Sequence, residues 1–221
     1  MKRLFVFAIC SAILFSSCHY FHGERIDGNG NVITQTRNFS NFTGVDVSNA
    51  IHLYIKQDAA FSVKVETDEN LQQYIIVSEE NGILRIKQEN NTSLDATGQI
   101  KVYVSAPLFK NLEASGACKI VGENALTASD AIDVHVSGAS GIRLKGETKE
   151  FLMEGDGASH AKCFELMTEN ADVDVSGASN AEVFARVKIN AKASGASDIR
   201  YKGNASVTPN TSGAASIKKA D

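Results

Sequence analysis

The sequence predicts an all-β protein, a parallel β-solenoid with about 20 residues per coil. One short phrase recurs from the middle of the chain to its end: Ser115-Gly116-Ala117, Ser137-Gly138-Ala139, Asp156-Gly157-Ala158, Ser176-Gly177-Ala178, Ser194-Gly195-Ala196 and Ser212-Gly213-Ala214. The glycines are 22, 19, 20, 18 and 18 residues apart, the spacing of a stacked repeat with one coil per copy. Around each glycine, apolar and polar residues alternate. Val134, Val136, Val173 and Val175 precede it, Ile142, Leu144, Ala181, Val183 and Ile199 follow it, and His135, Asp174, Arg143, Lys162, Glu182 and Arg200 lie between. Period-two alternation is the pattern of a strand with one buried face. No segment of the repeat region carries helical periodicity with caps.

Coils stacked about 4.8 Å apart place equal repeat positions in ladders. The position two after the glycine holds Ser140, Ser159, Ser179 and Ser197, with Cys118 and Ala215 at its ends. Small residues suit a tight inner corner, so a packing and hydrogen-bonding ladder is expected, against the alternative of a row of catalytic serines. The glycine itself marks a bend or a close approach of neighbouring backbones.

The chain of 221 residues is 43% hydrophobic with two prolines, enough for a true core and outside the disordered class. A net charge of −4 argues against a nucleic-acid partner, which wants a basic surface. Met1-Lys2-Arg3 followed by apolar Leu4 to Phe15 reads as a signal peptide over 1–17, too short for a comfortable membrane span. Leu14-Phe15-Ser16-Ser17-Cys18 resembles a bacterial lipobox, which makes Cys18 the expected site of lipid attachment and the membrane the first expected partner. The usual leucine three before the cysteine is Phe15 here, and an ordinary secretory signal is the alternative. With Cys10 in the signal and Cys18 acylated, Cys118 and Cys163 remain. Their repeat positions differ and their coils are two apart, about 10 Å, beyond disulfide reach. Two buried free thiols are expected.

In order along the chain, 18–35 reads as a flexible polar tether and 36–221 as the solenoid, with irregular coils over 36–113 and regular ones over 114–221. Val45 to Leu53 is a degenerate copy of the phrase with Asn49 in the glycine position. Alternating segments follow at Phe61 to Glu66, Tyr74 to Val77, Ile83 to Lys87 and Ile100 to Val104, with a turn at Asn81-Gly82 and a helical turn near Asp68 to Gln73. This half reads either as wider coils of the same solenoid or as a small capping sandwich. Pro107 falls at a strand end, and Pro209, Lys218 and Lys219 guard the last edge.

These features together (the lipobox, the strand-rich first half, Ala106-Pro107-Leu108 and the repeated Ser-Gly-Ala-Ser phrases) resemble the head GIN domain family of putative auto-transporter adhesins, common as Bacteroidetes lipoproteins. The resemblance covers roughly 36–220. It implies a right-handed β-helix-like solenoid and an adhesin role, and brings no catalytic motif. Surface-exported lipoproteins of that type commonly carry acidic residues directly after the lipidated cysteine. Here the residues are His19-Tyr20-Phe21-His22, which favours the periplasmic face of the outer membrane over the cell surface.

No phosphate-binding loop, Cys-x-x-Cys pair or His-Glu-x-x-His is present, and no cofactor, metal site or catalytic residue is expected. Ser159-x-x-Lys162 and Ser216-x-x-Lys219 match the Ser-x-x-Lys pattern of penicillin-recognising enzymes, but residues three apart in a strand point to opposite faces. His52, His135 and His160 are read at unlike repeat positions. Asp133 and Asp172 share one position, with Asp174 beside it. That is thin support for a polysaccharide-active enzyme, which needs acids beside a base in a groove. The position five after the glycine holds Val121, Arg143, Lys162, Glu182, Arg200 and Lys218, and Arg143, Lys162, Arg200 and Lys218 make a basic stripe. The position three before it leans acidic. The stripe reads either as a site for an anionic glycan, lipid head group or envelope protein, or as a solvated face that discourages aggregation. The expected function is a non-enzymatic, lipid-anchored adhesin or glycan- or protein-binding module. The alternatives are a periplasmic envelope scaffold and a polysaccharide-active β-helix enzyme.

Overall fold

The computed structural model describes residues 23–220, with the side chain of Ser129 excepted. The signal peptide and Cys18 lie outside the described residues. Within them the chain is a stack of parallel coils closed at one end by antiparallel strands.

Each coil has two long sides meeting at the Ser-Gly-Ala corner. The first side stacks Gly44–Val47, Asn111–Ala114 and the segments 131–136, 150–155, 170–175, 188–193 and 206–211, all parallel. The second stacks His52–Gln57, Lys119–Gly122, 141–143, 160–163, 180–183, Asp198–Lys202 and Ser216–Lys219. A short third side joins 126–128, 146–148 and 166–168. The inward residues of the two long sides fill the core: Val47, Ala114, Val136, Val175 and Ala193 from the first, Leu53, Ile120, Ile142, Ala161, Ala181 and Ile199 from the second. Burying this continuous apolar column, which no single coil could bury alone, is what makes the stack stable.

The corner explains the repeated glycine. Gly138, Gly157, Gly177, Gly195 and Gly213 have φ of +71° to +77°, a left-handed conformation open to glycine. The alanine after each donates its N–H to the glycine carbonyl one coil earlier, as in Ala178 to Gly157 and Ala196 to Gly177 at 2.7 Å. A side chain at Gly177 would put its Cβ 2.5 Å from that same Gly157 oxygen. Asn49 occupies the left-handed corner of the degenerate copy at φ +67°, and Gly116 stacks on it.

The order of coils in space differs from their order in sequence. Gly44–Val47 and His52–Gln57 lie between Ile83–Gln88 and Lys101–Ala106 below and Asn111–Ala114 and Lys119–Gly122 above. The chain therefore lays down its second layer before its first, and Pro107 follows directly on the strand that returns upward. Below the first layer, Ser62–Asp68 runs antiparallel to Lys101–Ala106, and Val32–Arg37 runs antiparallel to Ser62–Asp68. Ile75–Glu80 forms a hairpin with Ile83–Gln88 through Asn81 and Gly82, both with positive φ. The 3₁₀ turn Glu69–Tyr74 connects Ser62–Asp68 to Ile75–Glu80. The expected irregular coils of 36–113 are thus two coils and an antiparallel cap.

The expected tether over 18–35 is corrected over its described part. Glu24–Asp27 pairs with Thr92–Asp95, and Val32–Arg37 is a cap strand. Buried Asp68 ties this segment down: its carboxylate accepts Gly30 N at 2.7 Å, Thr97 Oγ1 at 2.7 Å and Thr97 N at 3.0 Å. These bonds pin Gly30 and Thr97 to the end of the cap strand Ser62–Asp68.

Candidate functional site

The serine ladder is internal. Ser140, Ser159, Ser179 and Ser197 are buried. The Ser140 hydroxyl accepts from Cys118 N at 3.1 Å, and Ser159 Oγ donates to Ser179 Oγ at 3.0 Å. Ser159 points inward while Lys162 is exposed, so the Ser-x-x-Lys pair cannot meet. Cys118 and Cys163 are free and buried, and burial pushes the Cys163 thiol up to about 12. None of these groups reaches solvent, so the outward residues of the two long sides are left to carry any function.

On the first side the acids are dispersed or paired. Leu152 sits in register between Asp133 and Asp172, Asn190 Nδ2 donates to Asp172 at 3.2 Å, and Lys192 pairs with Asp174 at 3.6 Å. His135 lies between Glu154 and Asp156, 3.3 and 3.9 Å away. Among the described residues no group of acids, histidines and cysteines is placed to hold a metal ion.

The second side is different. Its strands place two outward columns next to each other. One runs Lys101, His52, Lys119, Gly141, His160, Asn180, Asp198. The other runs Tyr103, Tyr54, Val121, Arg143, Lys162, Glu182, Arg200, Lys218. The basic stripe of the sequence is thus one register column, but Glu182 divides it. Arg200 donates to Glu182 at 3.2 Å and lies over the Phe164 ring, 5.8 Å from its centroid. Lys218 stands beyond Arg200. The cationic cluster is instead Arg143 and Lys162 with Lys119 of the adjacent column, and His160 lies beside them. Among the described residues Lys119, Arg143 and Lys162 have no carboxylate in ion-pair contact, whereas Lys101 is held by Glu66 at 2.8 Å.

The pKa directions follow from this crowding. Burial, then the charges of Lys162 and Lys119, hold His160 below its ordinary value. Burial, then Lys119 and Lys101, do the same to His52. The histidine reading needs correcting here: His52 follows Asn49, and His160 follows Gly157, by three residues each, so both occupy one column with Lys119 and Gly141 between them. Counting from Asn49 as from a glycine would have found this. Lys101 carried no such signal, because its coil has no Ser-Gly-Ala mark.

The cluster borders two shallow depressions. One, about 100 Å³, is lined by Lys119, Gly141, Arg143, His160 and Lys162. The other, about 410 Å³, is lined by His160, Lys162, Asn180, Glu182, Asp198 and Arg200 among others. His160 and Lys162 line both, so the two depressions adjoin along the stacking axis.

The coils bury the serine ladder and both thiols and display charged columns on their outer faces. The chain belongs to the family described as putative auto-transporter adhesin, head GIN domain, which matches residues 41–205. Its fold is similar to that of a putative adhesin from Bacteroides fragilis, at 17% identity and a TM-score of 0.74, covering 88% of this chain and 100% of that one. It is also similar to a putative adhesin from Parabacteroides merdae, at 16% identity and TM-score 0.60 over 90% and 100%. A putative lipid binding protein from Parabacteroides distasonis has 20% identity and TM-score 0.56, again over 90% and 100%. No curated protein matches the sequence.

Proposed function

We propose that this chain is a non-catalytic binding module of the bacterial envelope, anchored through lipid on Cys18 at the periplasmic face of the outer membrane. It acts by presenting the second side of its solenoid to an anionic partner. The observation that carries the reading is the cluster of Lys119, Arg143 and Lys162, exposed cations from three successive strands with no carboxylate on them. Like charges held this close raise the local potential, and a partner of opposite sign relieves it. Family membership supports binding over catalysis, as does the separation of Asp133 from Asp172 on the other side.

Anchoring is tested by growing cells with a clickable fatty acid and fractionating them. Wild-type chain takes the label and sediments with membranes, whereas Cys18→Ser takes none and becomes soluble. Label on the Cys18→Ser variant would end the lipoprotein reading. Protease added to intact cells should leave the protein whole and digest it after lysis. Digestion in intact cells would move the module to the cell surface.

A further inference from the structure

We infer that the adjoining depressions on the second side are a binding site for an extended, carboxylate-bearing polysaccharide lying along the stacking axis. This rests on the reading of that side as a presenting surface and names its ligand class.

Direction comes first. The two depressions share His160 and Lys162 and cross the strands Lys119–Gly122, 141–143, 160–163, 180–183 and Asp198–Lys202. Four coil steps of about 4.8 Å give a span roughly 19 Å long. Its outward residues repeat once per coil, a spacing close to one sugar unit of an extended glycan. A linear polymer therefore meets the same kind of contact at each step.

Charge comes second. Lys119, Arg143 and Lys162 gather at one end, with the His160 ring among them. At the other, Glu182 is paired with Arg200, while Asp198 accepts from the Ser216 hydroxyl and keeps its charge; with Asn180 these groups suit sugar hydroxyls rather than a further acid group. A ligand with acid groups on a hydroxyl-rich chain matches both halves. Beyond Lys119 and Arg143, the column continues through Val121 to Tyr54 and Tyr103. Their half-buried rings stack 5.2 Å apart at 19°, and their edges and hydroxyls extend the surface for sugar contact.

Valence comes third. The cations are exposed and spread over three strands rather than converging on one point. Each exposed pair is weak, so a small anion touching one or two of them would bind poorly. A polymer carrying several carboxylates engages several cations at once and gains from effective concentration.

The test uses the full purified chain in detergent, titrated with polygalacturonate oligomers. Galacturonate monomer, a neutral galactan of similar length and inorganic phosphate are the comparison ligands. The site binds the acidic oligomer, weakens with added salt, and holds monomer and galactan at least tenfold less tightly. The triple variant Lys119→Ser/Arg143→Ser/Lys162→Ser loses about tenfold or more in oligomer affinity. Lys188→Ser/Lys192→Ser, exposed on the first side, leaves it unchanged. All three substituted cluster positions are exposed, so circular dichroism and the melting transition should match wild type. Equal affinity for monomer, equal loss in both variants, or phosphate binding as tight as that of the oligomer would overturn the inference. If the wild type ignores the oligomer the glycan assignment fails, while fatty-acid labelling at Cys18 still tests the envelope reading separately.

Discussion

Replacing Gly177 with alanine probes the corner that the whole stack depends on. Two costs add. Gly177 has φ +75°, and an alanine held there costs about 1–2 kcal/mol. Its Cβ would also lie 2.5 Å from Gly157 O and 3.2 Å from Gly157 N. These are backbone atoms of the next coil, so the coils must part locally, which costs about 1–3 kcal/mol more by analogy with overpacking. The total is about 2–5 kcal/mol. Gly116 supplies the internal comparison: its φ is +81°, but the nearest atom to an added Cβ is Asn49 N at 3.5 Å, an ordinary contact. Gly30 is the open case, at φ +79° with nothing within 4 Å. Gly116→Ala and Gly30→Ala should each cost only the conformational part. Urea unfolding followed by far-ultraviolet circular dichroism measures all three. Amide exchange at Ala178 gives a local readout, because its N–H donates to the crowded Gly157 carbonyl. Gly177→Ala should lower the midpoint most and unprotect Ala178. A cost no larger than that of Gly116→Ala would refute the claim that coil spacing, rather than φ alone, demands glycine.

Three further outcomes follow from the interior. Burial pushes the Asp68 carboxyl up, but hydrogen bonds from Thr97 and Gly30 outweigh it and hold the group below its ordinary value. Its stabilisation is therefore present above the unfolded value of about 3.9 and is lost as pH falls through the folded one. Asp68→Asn should cost about 1–3 kcal/mol at pH 7 and flatten the acid limb of a stability–pH curve; a variant with the wild-type acid limb would contradict this. Thr67 Oγ1 is buried without a hydrogen-bond partner, so Thr67→Val should leave the urea midpoint unchanged or raise it, and a loss above about 1 kcal/mol would reveal a missed partner. Cys163, with its thiol pushed up to about 12, and Cys118, raised chiefly by burial, should resist thiol reagents until the chain unfolds, as peptide mapping after labelling would show; labelling at the native rate of a free thiol would contradict the sealed core.

The regular coils were legible because one physical constraint recurs in them. A left-handed corner under a neighbouring carbonyl requires glycine, and the spacing of glycines then fixes every register column, including that of Arg143 and Lys162. Asn49 was readable as a corner residue because asparagine tolerates positive φ. The layer formed by Ile83–Gln88 and Lys101–Ala106 carries no such corner mark, and it packs beneath a segment that precedes it in the chain. Strand order in space is set by which edge is free when a segment arrives, and periodicity does not record that. The strands at 24–27 and 32–37 were missed for a related reason: Gly23 and the run Gly28-Asn29-Gly30-Asn31 around them read as loop, and the buried carboxylate that orders that run lies at Asp68. The candidate site was half legible. Arg143 and Lys162 stood out by position, whereas the pairing of Arg200 with Glu182 and the arrival of Lys119 and His160 beside them depend on register between adjacent columns.

The most direct test of the central claim is photo-crosslinking in living cells from single positions on the two sides. Val121 sits between Tyr54 and Arg143 on the second side, and Leu152 sits exposed on the first. A photoreactive residue at Val121 should give carbohydrate-containing adducts in the envelope, with little from Leu152. Equal yields at the two positions, or adducts at Val121 that contain only protein, would contradict a glycan-presenting second side.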